Sequence, residues 1–317
     1  MKHRTVCILG GTGFVGSRLA AALAHRDVNV RVITRDPERA KHLTMLPHVR
    51  LVRGNCHDPK VLERQFRDCE AVINLVGILN ENRKQSFRQV HVELTRKVLD
   101  ACSSAGVRRL LHMSALNANA GGASQYLRTR GEAEGLIQVH SDRGLRATIF
   151  QPSTIFGPGD SFTRRFAGLL KLMPGVFPLA SPDARMAPVY VGDVAEAYAR
   201  SLDDRATFGQ RYQLCGPDVM SLQDVVRYLA EVQETRRWVM GLGPRLSRLQ
   251  AFMMEFVPGK PLTRDNLDSL SEDAVCREDG LAELGIEPRS MESVVPQYLG
   301  QRNSNRRFAE YRRHAKR

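Results

Sequence analysis

The glycines at 10, 13 and 16 restrict what this chain can fold into more than any other feature. They stand in Leu9-Gly10-Gly11-Thr12-Gly13-Phe14-Val15-Gly16. Before them lies the apolar run Thr5–Leu9, which reads as a strand. After them Phe14 to His25 carries Val15, Leu19, Ala22 and Leu23 at helical spacing. A glycine-rich turn between a strand and a helix lets backbone N–H groups approach a pyrophosphate at the helix N-terminus. Gly10, Thr12, Gly13, Phe14, Val15 and Gly16 are therefore candidates for contact with a dinucleotide. The alternative is a turn whose glycines serve only packing.

The first half goes on alternating. Strands are expected at Val28–Thr34, Val49–Val52, Ala71–Val76, Arg109–Met113 and Leu145–Phe150. Helices are expected at Pro59–Phe66, Phe87–Ala105 and Gln125–His140, with another opened by Asp36-Pro37-Glu38. There Asp36 is read as the cap and Pro37 as the first helical residue. Ala71–Val76 is almost continuously apolar, as a strand buried on both faces should be. This order implies an α/β Rossmann fold, a doubly wound parallel sheet.

After Gln151-Pro152 the texture changes, and prolines and glycines cluster at 152–159 and 174–182. A helix is expected at Val194–Leu202, capped by Asp193, and a strand at Gln210–Cys215. From Ser221 the pattern is mostly helical. The expected organisation is a dinucleotide-binding domain over 1–150 and a basic tail over 301–317. Between them, 151–300 forms a smaller, interleaved, mostly helical lobe for substrate or partner, with about 186–215 returning to the sheet.

Several positions bear on which dinucleotide is held. The second strand ends at Arg35, where NAD sites usually carry an acid for the ribose 2′-OH. A guanidinium suits a 2′-phosphate instead, so NADP(H) is expected over NAD(H). A solvated surface arginine is the other reading of Arg35. Asn55 and Cys56 follow the third strand, at the adenine end. Asn55 is read as an acceptor for the adenine amino group, or as part of a loop that merely caps a helix through Asp58. Val76 and Gly77 end the fourth strand, where a small residue admits close approach.

Ser114 ends the strand Arg109–Met113, and Tyr126 follows twelve residues later. Arg130 lies four beyond Tyr126, on the same helical face. These residues, the glycine turn and Arg35 resemble an atypical short-chain dehydrogenase/reductase. Tyr126-Leu-Arg-Thr-Arg-Gly-Glu-Ala-Glu134, Gln151-Pro-Ser-Thr-Ile-Phe-Gly157, Pro188-Val-Tyr-Val-Gly-Asp-Val-Ala195 and Pro261-Leu-Thr-Arg-Asp-Asn266 extend the resemblance to about residue 300. Within that superfamily the chain is most similar to the NADPH-binding accessory subunit of respiratory complex I and its bacterial relatives.

The resemblance implies a bound nicotinamide dinucleotide, with Pro152 among its contacts. It implies that Ser114 holds a substrate oxygen, Tyr126 carries the proton and residue 130 binds the ribose. The family pattern has lysine at 130. Arg130 keeps the charge, but its planar fork is not a geometric substitute. Two functions stay open: an oxidoreductase acting on a lipophilic carbonyl or quinone, and a cofactor-stabilised scaffold or assembly factor beside membrane respiratory or quinone-synthesis proteins. An epimerase or dehydratase is the weaker third.

Charge and cysteine content narrow the setting. Lys and Arg number 47 against 34 acids, a net of +13, and the tail holds seven basic residues with one acid, Glu310. Such a tail is drawn to anionic lipid, or is simply solvated. No nucleic-acid module is recognisable, so nucleic acid is not expected as a partner. The six cysteines form no CxxC pair, and no metal site is expected. Cys7 and Cys69 read as buried thiols in a reducing compartment. The apolar run Val6–Leu9 is too short for a secretory leader, and no stretch approaches the length of a transmembrane helix. A cytoplasmic protein, peripheral at the inner membrane, is the expectation. Leu242, Leu246, Leu249, Phe252, Met253 and Phe256 form a stripe at helical spacing, read as the core of the small lobe or as the mouth of a lipophilic site.

Overall fold

Seven parallel strands form the centre of the protein, in the spatial order β7-β6-β5-β4-β1-β2-β3. They are β1 (Thr5–Leu9), β2 (Asn29–Thr34), β3 (Val49–Arg53), β4 (Ala71–Asn74), β5 (Arg109–Met113), β6 (Arg146–Pro152) and β7 (Arg211–Leu214). The computed structural model describes residues 4–173, 175–235, 237–257 and 259–300, so the basic tail 301–317 lies outside the described residues.

Both faces of the sheet are covered, which is why β4 and β5 are buried at every position. On one face lie α1 (Phe14–Ala24) and α6 (Val191–Ser201), through Leu19, Leu23, Val194 and Tyr198. On the other lie α2 (Pro59–Phe66), α3 (Leu94–Ala105) and α4 (Gln125–Ser141), through Phe66, Val98 and Ile137. The strand order reverses between β1 and β4. In open α/β sheets the ligand crevice lies beyond the carboxyl ends of the strands at such a point.

A third core belongs to the later part of the chain. It joins α5 (Phe162–Leu172) and α7 (Leu222–Val232) to the two-stranded pairing of Val176–Leu179 with Trp238–Gly241, and to the helix Met291–Leu299. β7 pairs with β6 and so returns the chain to the main sheet between parts of this lobe. Two further helices, α8 (Pro244–Met254) and α9 (Arg264–Ser269), follow.

The structure departs from the sequence reading in several places. Asp36 does not cap a helix: a 3₁₀ segment starts at Glu38, and the Asp36 carboxylate meets Arg39 at 3.1 Å. Asp193 is no cap either. The strand Val189–Tyr190 runs directly into α6, so the helix begins earlier and places Asp193 in its first turn. There its buried carboxylate accepts the Arg289 backbone N–H at 2.8 Å. The expected helix Phe87–Ala105 opens with a π-turn at Arg88–Glu93 before α3. Cys215 and Cys276 are joined in a disulfide, a pairing their spacing did not point to; Cys7 and Cys69 are buried thiols as expected, and so is Cys102. The stripe on α8 is not lobe core. Leu246, Leu249, Phe252, Met253 and Phe256 are exposed, because α7, not α8, fills the centre of the lobe.

Candidate functional site

The turn after β1 is built by steric exclusion. Gly10 has φ +77°, a left-handed conformation that glycine adopts without cost. A side chain on Gly16 would overlap the Gly10 carbonyl and Gly11, so only glycine lets α1 start this close to the turn. Gly13 is the N-cap of α1 and has no side chain to cap it. The N–H groups of the first turn are left for an incoming anion, which the helix dipole also favours. The backbone at Leu75 and Val76 closes against Gly10 from the β4 side.

Gly10, Gly13, Phe14, Val15 and Gly16 line one end of a cavity of about 620 Å³. Gly77, Ser114, Tyr126, Arg130 and Pro152 line the same cavity. The structure thus brings ten of the residues singled out from the sequence into one space. Thr12 is exposed and stays outside it. Arg35, Asn55, Cys56 and Val76 also lie outside its walls. Arg35 is exposed just beyond β2, and its charge bears on both Cys56 and His57, so the ends of β2 and β3 form one neighbourhood. Asn55 Oδ1 accepts the His57 N–H at 3.1 Å, and Asp58 caps α2 by accepting from Lys60. The Asn55 carbonyl is therefore engaged by its own loop.

Three side chains converge where the cavity meets the sheet. Ser114 lies just past β5; it is 2 % exposed, its Oγ makes no well-formed hydrogen bond, and the buried Glu134 carboxylate stands beside it. Tyr126, in the first turn of α4, is half-buried with Phe87 and His91 edge-on at 5.8 and 5.5 Å. Arg130, one turn on, is buried. Its Nη1 donates to the Met113 carbonyl at 2.8 Å, its guanidinium lies 5.5 Å from the centre of the Tyr126 ring, and its Nε is unpartnered. Buried polar atoms without a well-formed hydrogen bond are costly. Two of them, Ser114 Oγ and Arg130 Nε, belong to side chains that line a cavity with a free helix N-terminus at one end. The residues present fit a nicotinamide dinucleotide.

Behind these groups stand two histidines that the sequence reading missed. His91 Nε2 accepts the Ile78 N–H at 3.3 Å, which leaves Nδ1 to donate to Thr129 Oγ1 at 2.9 Å. Burial, with the Arg130 charge adding to it, lowers its pKa to about 2. His112 pairs with Asn74 at 3.3 Å and is likewise pushed down to about 3. Both are neutral rings that position α4 and β5. His91 sits in the π-turn, a local irregularity that no periodic pattern discloses.

The remainder of the cavity is mostly apolar, with Asn80, Asn117, Asp160, Arg165 and Asn266 also on its walls. Leu116, Phe162 and Phe166, Phe177 and Leu179, and Met254 come from four separate stretches of chain, which is why sequence spacing could not assemble them.

Known proteins share the family and the fold. Residues 6–215 match the model of the NAD dependent epimerase/dehydratase family. The NADH-ubiquinone oxidoreductase 40 kDa subunit of Neurospora crassa mitochondria is 24 % identical over 307 residues, covering 95 % of this chain and 80 % of that protein. The ceramide reductase of Caulobacter vibrioides is 29 % identical over 248 residues, covering 77 % and 73 %. Among solved structures, an NADPH-dependent quinone oxidoreductase from Escherichia coli in complex with NADPH superposes with a TM-score of 0.73 at 19 % identity, covering 92 % of this chain and 99 % of that one, a likeness of fold.

Proposed function

The chain belongs to the NAD dependent epimerase/dehydratase family, within the atypical short-chain dehydrogenases, and we propose that it is an NADPH-dependent reductase of a lipophilic carbonyl or quinone. The observation that carries this reading is the continuity of one cavity. A dinucleotide cradle, the Ser114–Tyr126–Arg130 group and an apolar chamber share its walls.

When bound, the reduced nicotinamide supplies a hydride to the substrate carbonyl carbon. The chain's residues do the rest. Ser114 Oγ donates a hydrogen bond to the substrate oxygen. The Tyr126 hydroxyl delivers the proton that completes the alcohol, and solvent returns it. Arg130 binds the ribose, its guanidinium 5.5 Å from the centre of the Tyr126 ring. The first turn of α1 holds the pyrophosphate, and Arg35 holds a 2′-phosphate, which sets the preference for NADP(H) over NAD(H). The apolar chamber excludes water and admits an alkyl or isoprenoid chain. Its mostly apolar lining favours a lipophilic substrate over a nucleotide sugar, so the epimerase or dehydratase reading stays the weaker third.

A second reading rests on Arg130. Its anchoring to the Met113 carbonyl, in a position where the family carries lysine, suits a cofactor that is held but not turned over. In that case NADPH stabilises a scaffold beside respiratory or quinone-synthesis proteins, as the names of the complex I relatives suggest. Nicotinamide oxidation separates the two. Purified protein is loaded with NADPH and given a long-chain ketone or quinone, or its short-chain analogue. The reductase reading expects oxidation with the long chain only. Binding of NADPH with no oxidation by any lipophilic acceptor favours the scaffold.

A further inference from the structure

The helix that walls the cavity also carries an exposed apolar face. On its inner side α8 turns Gln250 and Met254 to the cavity and buries Ser247 and Ala251. On its outer side Leu246, Leu249, Phe252 and Met253 are 45–58 % exposed, and Phe256, in the turn just past the helix, is 76 % exposed. At about 100° per residue the four helical residues fall within an arc of roughly 120°. Soluble proteins rarely leave so continuous a stripe uncovered without a use for it.

The charges around the stripe state what covers it. Between Leu242 and Arg264 there are four basic residues, Arg245, Arg248, Lys260 and Arg264, against the single acid Glu255. Arg245 stands within the apolar arc at the start of α8, and Arg248 borders it. Glu255 lies off the arc, paired with Arg264 at 3.0 Å, and the acid nearest Arg248 is Asp268 of α9, 3.7 Å away, so the basic groups outnumber the acids around the stripe. Apolar side chains bordered by arginine are the composition of a helix lying in the headgroup region of an anionic membrane. Among the described residues no helix is long and apolar enough to cross a bilayer. The contact is therefore with its surface.

We propose that the outer face of α8 docks the protein on an anionic phospholipid bilayer, so that the apolar cavity behind the same helix draws its substrate from the membrane. The proposal deepens the reductase reading by naming the bilayer as the source of the substrate, and it rests on that reading for its purpose. Phe252 and Phe256 enter the acyl boundary while Arg245 and Arg248 reach phosphate groups. The single-helix thickness of the wall keeps the path from bilayer to cavity short.

Vesicle flotation tests this with the full chain. The vesicles are phosphatidylcholine alone, or phosphatidylcholine with phosphatidylglycerol. The variant carries Phe252→Ser and Phe256→Ser, neither of which lines the cavity, and an NADPH titration of each protein reports the fold. The proposal expects binding to the anionic vesicles, weakened by salt, and a loss of at least about tenfold in the variant with NADPH affinity unchanged. Equal binding by the variant assigns the contact to another surface, the basic tail included, and overturns the proposal. So does the absence of vesicle binding by the unaltered protein, which leaves the face to a protein partner. Failure to bind NADPH would instead strike the reductase reading and leave the vesicle result to stand by itself.

Discussion

The Arg130 guanidinium rests on Gly77, in the space that a side chain at residue 77 would take. A glycine at the end of β4 and an arginine in the second turn of α4 thus share one position beside the dinucleotide cradle. Lysine, with its slimmer stem and point charge, makes no such demand on residue 77. The departure from the family pattern at 130 is accommodated by glycine across the cavity, and that pairing has a measurable consequence.

Gly77→Ala should push Arg130 off the Met113 carbonyl and into the cavity. Binding of NADPH, followed by nicotinamide fluorescence, is expected to weaken by about tenfold, the equivalent of about 1.4 kcal/mol. The double change Gly77→Ala with Arg130→Lys should recover most of the loss, because the shorter group no longer meets the new methyl. Unchanged affinity in the single variant would mean that Arg130 has room to spare.

Arg35→Glu should reverse cofactor choice. The present guanidinium can make charge-assisted bonds to a 2′-phosphate, whereas a carboxylate there repels it and accepts from a ribose 2′-OH. The ratio of NADPH to NADH affinity is expected to fall by at least about tenfold. A ratio that does not move would return Arg35 to the status of a solvated surface residue.

Stability should fall in mild acid. The folded protein holds His91 and His112 neutral, with pKa values of about 2 and 3, against 6.5 for the exposed ring. Below about pH 6.5 the unfolded chain takes up protons that the folded chain refuses, so stability rises with pH across this window. By pH 5 each ring is expected to contribute a loss on the order of 1–2 kcal/mol. Burial raises the Glu134 carboxyl, which acts in the opposite sense: its contribution is present at low pH and is lost as pH rises through its own range. Urea unfolding at pH 7.5 and pH 5 measures the balance. A midpoint that does not fall at pH 5 would contradict the expectation that the two histidines outweigh Glu134.

The parts of the site legible in the sequence are those fixed by short-range geometry. Gly10, Gly13 and Gly16 follow from a strand–turn–helix that only glycine permits, and Tyr126 with Arg130 from one turn of helix. The apolar chamber was not legible, since Phe162, Phe177 and Met254 meet only through packing of the second lobe. The Cys215–Cys276 bond was hidden because six cysteines allow 15 full pairings and none carries a local mark. The stripe on α8 shows the limit of periodicity. Its spacing announced an apolar face at Leu246, Leu249 and Phe252 but did not say that this face would look outward. The same held for Asp36 and Asp193, which have the composition of caps; local chain direction placed the helix starts elsewhere.

The most direct test of the account is single-turnover oxidation of bound NADPH by a long-chain ketone or quinone, in the unaltered protein and in Tyr126→Phe. The account predicts oxidation in the first and a rate at least about a hundredfold lower in the second, with the same NADPH affinity in both. Equal rates would remove Tyr126 as the proton donor. No oxidation in either, with NADPH tightly held, would contradict the reductase reading and leave a cofactor-stabilised scaffold.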